Sequence, residues 1–237
     1  MSAKDDIITR IHAARPDVPS DAQPEAHTIP RNYLRSPSIP EGIVSRFCER
    51  VADYKARVER VPAADIPAAI AAALTALDAK RVAVADGLPE EWRTALTAAG
   101  IDVVTEHPGA ELDIDALQSL DAVVTGSAVA IAETGTIVLD GSATSGRRAL
   151  TLVPDKHICI VSVDDIVDGV PAALARLSPT RPLTWISGPS ATSDIELQRV
   201  EGVHGPRTLH VLVVDPSGDW GSTPPLLAAT PNGDSIW

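Results

Sequence analysis

The spacing of apolar residues in the first part of the chain predicts three helices and one irregular segment. Apolar side chains recur with helical spacing over residues 3–13 and 41–61, which predicts a short helix and a long amphipathic helix. The proline-rich residues 14–40 between them predict an extended arm. An alanine-rich helix is predicted to begin at Asp65, because Asp65 is a preferred N-cap residue and Pro67 suits a first turn.

From residue 81 onward, short β-type runs alternate with helical segments. Strands are predicted at 81–85, 101–104 and 121–125, with helices at about 88–98 and 111–118 between them. This β-α-β-α-β order is typical of a parallel sheet that is covered by helices. We therefore expect an α/β fold, namely a three-layer α/β/α sandwich with a Rossmann-like, mostly parallel sheet and additional N-terminal helices.

The remainder of the chain continues with strands and one further helix. Strands are predicted at 129–132, 136–140, 157–161, 183–187 and 208–214, and a helix at 164–177. Residues from Asp215 onward are rich in Pro, Gly, Ser and Thr, which predicts a flexible tail. The expected organisation is a helix and extended arm at 1–40, an α/β domain at 41–214 and the tail at 215–237.

Composition and charge exclude two classes of partner. The chain has 20 Lys+Arg against 32 Asp+Glu, a net charge of −12, and only 3% aromatic residues. Neither a phosphate-binding surface nor a base-stacking platform is therefore expected, which excludes nucleic acid. The longest uncharged apolar run, residues 66–77, is too short to cross a membrane. No apolar secretion signal is recognised, so we expect a cytoplasmic protein without membrane contact.

The cysteines and glycines limit the cofactors that the chain is expected to hold. Cys48 and Cys159 are the only cysteines, whereas an iron–sulfur cluster normally takes four cysteine ligands. A GxGxxG motif is absent, which disfavours a Rossmann NAD site. His157 and His210 lack a ligand spacing such as HExxH, so no metal site is expected.

The first candidate site begins at the end of the predicted strand 121–125. Thr125 and Gly126 lie where open α/β sheets bind ligands, and small residues allow backbone amides to approach an anion. Glu133 lies among apolar residues, and burial there would raise its pKa into the range of a general acid or base. The motif is completed by Thr134, Gly135 and Thr136. The alternative is a tight hairpin turn with Glu133 in solvent.

The second candidate is the loop 141–148, which contains two glycines at phosphate-loop spacing. The Walker A pattern requires Lys followed by Ser or Thr after the second glycine, whereas this loop has Arg147 and Arg148. A nucleoside triphosphatase is therefore excluded. The two arginines are the only charges between Asp140 and Asp155. They predict a positive site for a carboxylate or phosphate or, alternatively, a solvated loop with surface ion pairs.

Two segments near the end of the domain, residues 188–196 and 202–206, contain the remaining candidate site residues. Ser193 and Glu196 match a capping box, which predicts a strand–loop–helix junction whose free amides can hold an anion. His204 lies between two glycines and can approach a ligand closely near neutral pH, although an exposed, structural histidine is the alternative. The candidate residues in these segments are Pro189, Ser190, Thr192, Asp194, Glu196, His204 and Gly205.

These motifs together resemble the LUD-domain family, and within it the lactate-utilization (LutC, YkgG-like) branch. The resemblance covers roughly residues 26–214. It is carried by Thr125-Gly-Ser, Ala132-Glu-Thr-Gly-Thr-Ile-Val-Leu, Gly188-Pro-Ser-Ala-Thr-Ser-Asp-Ile-Glu and Gly202-Val-His-Gly-Pro-Arg-Thr-Leu-His-Val, with Pro30-Arg-Asn-Tyr and Phe47-Cys-Glu-Arg-Val-Ala-Asp-Tyr-Lys-Ala in support.

The resemblance implies a fold similar to the NagB/RpiA/CoA-transferase type. It also implies that the chain acts with LutA-like and LutB-like iron–sulfur proteins in oxidising L-lactate to pyruvate, without a cofactor of its own. The resemblance leaves open whether the motif residues bind lactate, another anion, a nucleotide or a partner protein. Our hypothesis from the residues is that a small anionic metabolite binds here, with Glu133 or His204 moving a proton and Arg147 or Arg148 pairing with its carboxylate.

Two other classes of function remain open at this stage. A stand-alone enzyme of the same superfold is one, either acyl- or CoA-transferase-like, with Glu133 as the nucleophile, or formylfolate cyclo-ligase-like. A binding or regulatory module without chemistry is the other, in which Trp220 and Trp237 of the tail would contact a partner.

Overall fold

The computed structural model describes residues 3–14, 42–195 and 198–216. Nearly all of the predicted arm and tail, together with Glu196, lies outside these residues. The chain divides into two compact units, residues 1–33 and 34–237. The first contains helix α1 (Ala3–Ala14), which confirms the helix predicted at 3–13, and all its side chains are exposed.

The second unit contains six α-helices and twelve β-strands among its described residues. The helices are α2 (Ile43–Asp53), α3 (Ile66–Ala76), α4 (Glu90–Ala98), α5 (Ile114–Gln118), α6 (Arg148–Leu152) and α7 (Val170–Arg176). The strands are β1 (Arg57–Pro62), β2 (Arg81–Ala85), β3 (Asp102–Glu106), β4 (Ala122–Thr125), β5 (Val129–Ile131), β6 (Thr136–Leu139), β7 (Lys156–Ser162), β8 (Ile166–Val167), β9 (Thr184–Ile186), β10 (Ala191–Ile195), β11 (Gln198–Glu201) and β12 (Thr208–Asp215).

Six strands form a central sheet in the order β1-β12-β7-β4-β2-β3, and every neighbouring pair is parallel. Strands of such a sheet are buried on both faces and read as continuous apolar runs. The Val-Ala-Val-Ala run of β2 and the Val-Leu-Val-Val run of β12 fit this rule and are buried throughout. The predicted α/β fold with a parallel sheet is confirmed.

The two faces of the sheet are covered differently. Helices α3 and α4 pack on one face, with Ile70 and Leu96 against the buried strand residues. On the other face, α5 and α6 cover β2 and β4, and α2 together with a second sheet covers β7 and β12. This second sheet has the order β8-β5-β6-β9. Strand β9 of this second sheet lines a cavity beside the central sheet.

Two of the predicted helices are wrong in part. The helix predicted over 41–61 ends at Asp53, because the chain turns at Lys55 with a φ of 65° and continues as β1, which pairs with β12. The first half of the helix predicted at 164–177 contains β8, which pairs with β5, and α7 begins only at Val170. In both cases strand pairing outweighs a local helical pattern.

The described residues contain no helix that is long and apolar enough to span a membrane.

Candidate functional site

A cavity of about 300 Å³ lies between α6, β9 and the amino-terminal ends of β7 and β12. Its size is at the lower end of the range for ligand pockets. Its lining combines one arginine, two histidines and several hydroxyl groups with apolar side chains. The polar side chains are those of Arg148, Thr151, His157, Thr184, Ser187, Ser190 and His204.

Ser190 joins the two loops that form one wall of this cavity. Its amide donates to the carbonyl of Pro206 at 2.8 Å, and its carbonyl accepts from the amide of Gly202 at 3.0 Å. Its hydroxyl oxygen accepts from the amide of His204 at 3.1 Å. These bonds hold the exposed His204 beside the cavity, so two segments predicted separately from the sequence meet at one place.

Gly188 allows the first of these loops to pass close to the end of α2. Its φ is +82°, and a Cβ atom there would lie 2.6 Å from the carbonyl oxygen of Tyr54. A side chain is excluded on both counts. Gly205 is also closely packed, since a Cβ atom would lie 3.3 Å from Leu152. The cavity wall therefore depends on glycine at 188.

The two adjacent arginines, Arg147 and Arg148, make different contacts. Arg148 is exposed and lines the cavity, and it makes no ion pair with any described residue. Arg147 pairs with the buried Glu106, with 2.7 Å between Nη2 and Oε1, and also donates to the carbonyl of Leu112. The expectation of two free positive charges is therefore wrong, because the buried carboxylate neutralises one of them.

His157 forms part of the cavity lining from the central sheet. Its side chain is almost fully buried, and its Nε2 lies 2.8 Å from Oγ1 of Thr125. Burial lowers the pKa of His157 to about 4, so the ring is neutral at physiological pH. Thr125 is completely buried and is not among the lining residues. Its contact with this cavity is made through His157.

The Glu133 motif forms the turn between β5 and β6. Thr134 and Thr136 are 2.7 Å apart at their hydroxyl oxygens, and Thr136 is 2.8 Å from the hydroxyl of Ser187, which lines the cavity. Gly135 has a φ of +61° and packs on α2. Of the two alternatives for this motif, the hairpin turn with Glu133 in solvent is confirmed, and burial of the carboxylate is wrong. Within this turn Glu133 and Thr134 are exposed, whereas Gly135 and Thr136 are buried.

The carboxyl ends of β2 and β4 are occupied by the chain itself. The amide of Gly126 donates to the carbonyl of Thr144 at 2.8 Å, and the amide of Gly87 donates to that of Ala143 at 2.9 Å. The loop 141–146 therefore covers the ends of β2 and β4, where sheets of this kind hold ligands. A second cavity of about 200 Å³ remains between this loop and the segments that follow β2 and β3. The Gly126 amide, which belongs to the segment whose backbone amides are predicted to approach an anion, is therefore already paired.

The helix predicted to begin near residue 193 is replaced by a β-hairpin. Residues 191–195 form β10, which pairs antiparallel with β11, and Thr192 lies opposite Val200. Asp194 belongs to the same strand, and Glu196 lies outside the described residues. The predicted free amides of a helix N-terminus are therefore absent from residues 191–195. The β-branched residues of this segment favour pairing over the capping signal.

Several lining residues were not among the predicted site residues. His157, Thr184 and Ser187 belong to strands or strand ends, where the sequence predicts strand structure and contains no ligand-binding motif. For His157 the sequence offers one indication of a polar site, namely that this histidine lies within a strand of mainly apolar residues. Among the described residues, no group of three or more His, Cys, Asp or Glu side chains is placed to hold a metal ion.

Comparison with known proteins gives a consistent result. The LUD domain model matches residues 46–214. Lactate utilization protein C of Deinococcus radiodurans is 48% identical over 216 residues, which cover 90% of this chain and 95% of that protein. Lactate utilization protein C of Bacillus subtilis is 34% identical over 114 residues, which cover 44% of this chain and 47% of that protein.

A solved structure supports the same relationship. The crystal structure of a DUF162 family protein from Deinococcus radiodurans is 44% identical to this chain and aligns with a TM-score of 0.61. The alignment covers 75% of this chain and 99% of that one. With the family match over residues 46–214, these similarities identify the chain as a member of the LUD domain family.

Proposed function

We propose that this protein is a component of an L-lactate utilization system and that it binds a small carboxylate anion in the cavity beside α6. The observation that carries the role is the 48% identity, over 90% of this chain, to a protein named lactate utilization protein C. The family match over residues 46–214 includes every residue that lines the cavity.

The lining of the cavity supports an anionic ligand of small size. Arg148 offers a guanidinium group that no described carboxylate neutralises, and such a group binds a carboxylate through two parallel hydrogen bonds. Hydroxyl groups of Ser187 and Ser190 supply further hydrogen-bond partners. The volume of about 300 Å³ suits a small metabolite.

The redox step would take place with partner proteins. Both cysteines of this chain are fully buried, and two cysteines cannot hold an iron–sulfur cluster alone. In the proposed system LutA-like and LutB-like iron–sulfur proteins carry the electrons from L-lactate, and this protein contributes the binding of the small acid. His204, exposed beside the cavity, is the proposed group for proton transfer.

Ligand binding is tested by calorimetry and thermal shift with L-lactate, pyruvate, propionate and acetyl-CoA. Binding to the folded state raises the melting temperature as the ligand concentration exceeds Kd. We expect small acids to bind, and Arg148→Met to weaken them by about tenfold or more. Lys80→Met, which removes an exposed cation outside the cavity, is the matched control. Binding of acetyl-CoA alone would contradict the proposal.

Participation in the pathway is tested in cells. We expect deletion of the gene to abolish growth on L-lactate and to leave growth on pyruvate intact, with rescue by the wild-type protein. An affinity-tagged copy should co-purify with two iron–sulfur proteins. Normal growth of the deletion strain on L-lactate as the sole carbon source would refute the assigned role.

A further inference from the structure

We infer that the cavity beside α6 takes a monocarboxylic acid of about five to eight carbon atoms, longer than L-lactate, with an apolar chain. This inference rests on the proposed function, because it assumes that a carboxylate is bound in this cavity. It names the class of acid that fits the volume, the apolar wall and the single charge of the cavity together.

The cavity is larger than a three-carbon acid requires. Its volume is about 300 Å³, and a water molecule has a share of about 30 Å³ in the liquid, so the cavity has room for about ten groups of that size. L-lactate has six non-hydrogen atoms and would leave space for about four more. An acid of about eight carbon atoms, with ten non-hydrogen atoms, is therefore the upper limit.

Part of the wall of the cavity is apolar. Leu209 of β12 lies beside His157 of β7 in the central sheet and belongs to a buried apolar cluster. Ile186 of β9 packs against the same cluster, and both residues line the cavity. A chain of methylene groups that lies against this wall is removed from water, and each buried methylene strengthens binding. A three-carbon acid has too few carbon atoms to cover the wall.

Helix α6 places a cation next to an apolar side chain of the lining. Arg148 and Leu152 are four residues apart in α6, and side chains at this spacing lie on the same face of a helix. Leu152 also extends to the loop 202–206, since a Cβ atom at Gly205 would lie 3.3 Å from its Cδ2. An acid whose carboxylate pairs with Arg148 can therefore extend its chain along Leu152.

The charge of the lining favours one acidic group and an uncharged remainder. Among the described residues that line the cavity, Arg148 is the one Asp, Glu, Lys or Arg. A single carboxylate would pair with its guanidinium group. An ammonium group would lose its hydration without meeting a carboxylate, so an amine of the same length should bind poorly.

A series of straight-chain acids tests this inference by calorimetry. From propionate to hexanoate we expect the affinity to rise about three- to fourfold with each methylene, because each methylene leaves water. Once the cavity is filled the rise should stop, so decanoate should bind no more tightly than octanoate. Hexylamine, with the same apolar chain and the opposite charge, is the matched control. It should bind at least about tenfold more weakly than hexanoate.

A variant that reduces the space tests the location of the chain. Leu152→Phe places a larger side chain in the lining, so the preference for hexanoate over propionate should fall to about fivefold or less. Leu174→Phe, the matched control, enlarges an exposed side chain of α7 outside the cavity and should retain the preference.

The outcomes separate this inference from the proposed function. Equal affinities for propionate and hexanoate, or equal affinities for hexanoate and hexylamine, would refute the inference and leave the small-acid site standing. An affinity that still rises at decanoate would refute a limit set by the cavity. An absence of binding for L-lactate and every acid of the series would refute the small-acid site itself. Near-ultraviolet circular dichroism identifies a variant that fails to fold, and the wild-type series decides the inference in that case.

Discussion

Arg147 and Glu106 form an ion pair between the start of α6 and the end of β3, with 2.7 Å between Nη2 and Oε1. The glutamate side chain is 6% exposed, and its Oε1 also accepts from the amide of Leu112 at 2.9 Å. One arginine of an adjacent pair is thereby held in an ion pair, whereas Arg148 next to it is exposed and makes no ion pair with any described residue.

We expect Arg147→Met to lower the free energy of unfolding by about 1–3 kcal/mol, because it leaves a buried carboxylate without its partner. The partial exposure of the arginine places the loss below that of a fully buried pair. Urea denaturation measures it. Arg148→Met, the matched control, should change stability by less than about 0.5 kcal/mol. Equal losses in the two variants would show that the pair contributes nothing.

Gly135 should tolerate no side chain. Its φ is +61°, and a Cβ atom would lie 2.7 Å from Cβ and 2.8 Å from the backbone carbonyl carbon of Arg50. Gly109 has a similar φ of +82° with no atom within 4 Å, so Gly109→Ala isolates the cost of the backbone conformation, about 1–2 kcal/mol. We expect Gly135→Ala to cost about 1–3 kcal/mol more, measured by thermal and urea denaturation. Equal costs would rule out a clash with α2.

Stability should fall as the pH is lowered from about 6.5 to about 4. Burial lowers the pKa of His157 and His210 to about 4, with a contribution from Arg57 at His210. Below pH 6.5 the unfolded chain binds protons on these histidines while the folded protein does not, so unfolding is favoured. Each histidine contributes a slope of up to about 1.4 kcal/mol per pH unit within that window.

Replacement of one buried histidine provides the check. His210→Gln stays neutral at every pH, and a plot of unfolding free energy against pH should be flatter for this variant than for the wild-type protein. His12→Gln, in the exposed helix α1, should leave the slope unchanged. An unaltered slope for His210→Gln would contradict the low pKa of His210.

The two thiols should be unreactive in the folded protein. Cys48 and Cys159 are both fully buried, and burial raises the pKa of Cys159 to about 12 and also raises that of Cys48. Because only the thiolate reacts, a disulfide reagent at pH 8 should label neither residue until the protein is unfolded. In denaturant the same reagent should titrate both. Rapid labelling of the native protein would place a thiol at the surface.

The central sheet could be predicted because its strands carry their signal locally. The Val-Ala runs of β2 and the Ile-Cys-Ile run of β7 are apolar on both faces, and helices separate them in the sequence. β1 could not be predicted in this way. Its apolar residues continue the helical spacing of α2, and its partner β12 lies at the other end of the domain.

The candidate site was predicted in part for a similar reason. Ser190 and His204 belong to loops with recognisable sequence motifs, and the structure brings them together with Arg148. His157 reaches the same cavity from a buried strand, and its contact with Thr125 joins two strands that lie far apart in the sequence. Which of Arg147 and Arg148 forms an ion pair depends on the directions of their side chains at the start of α6. The sequence alone does not determine these directions.

The loop over the ends of β2 and β4 has a consequence for ligand choice. The carbonyl groups of Ala143 and Thr144 in this loop already accept hydrogen bonds from the amides of Gly87 and Gly126, so they compete with any anion for these amides. A group held on the same chain has a high effective concentration, so a dissolved anion must displace it before it can bind. A ligand in the cavity of about 200 Å³ that remains beside this loop, lined by Asp86, Glu106 and Arg147, would therefore meet side chains rather than these two amides.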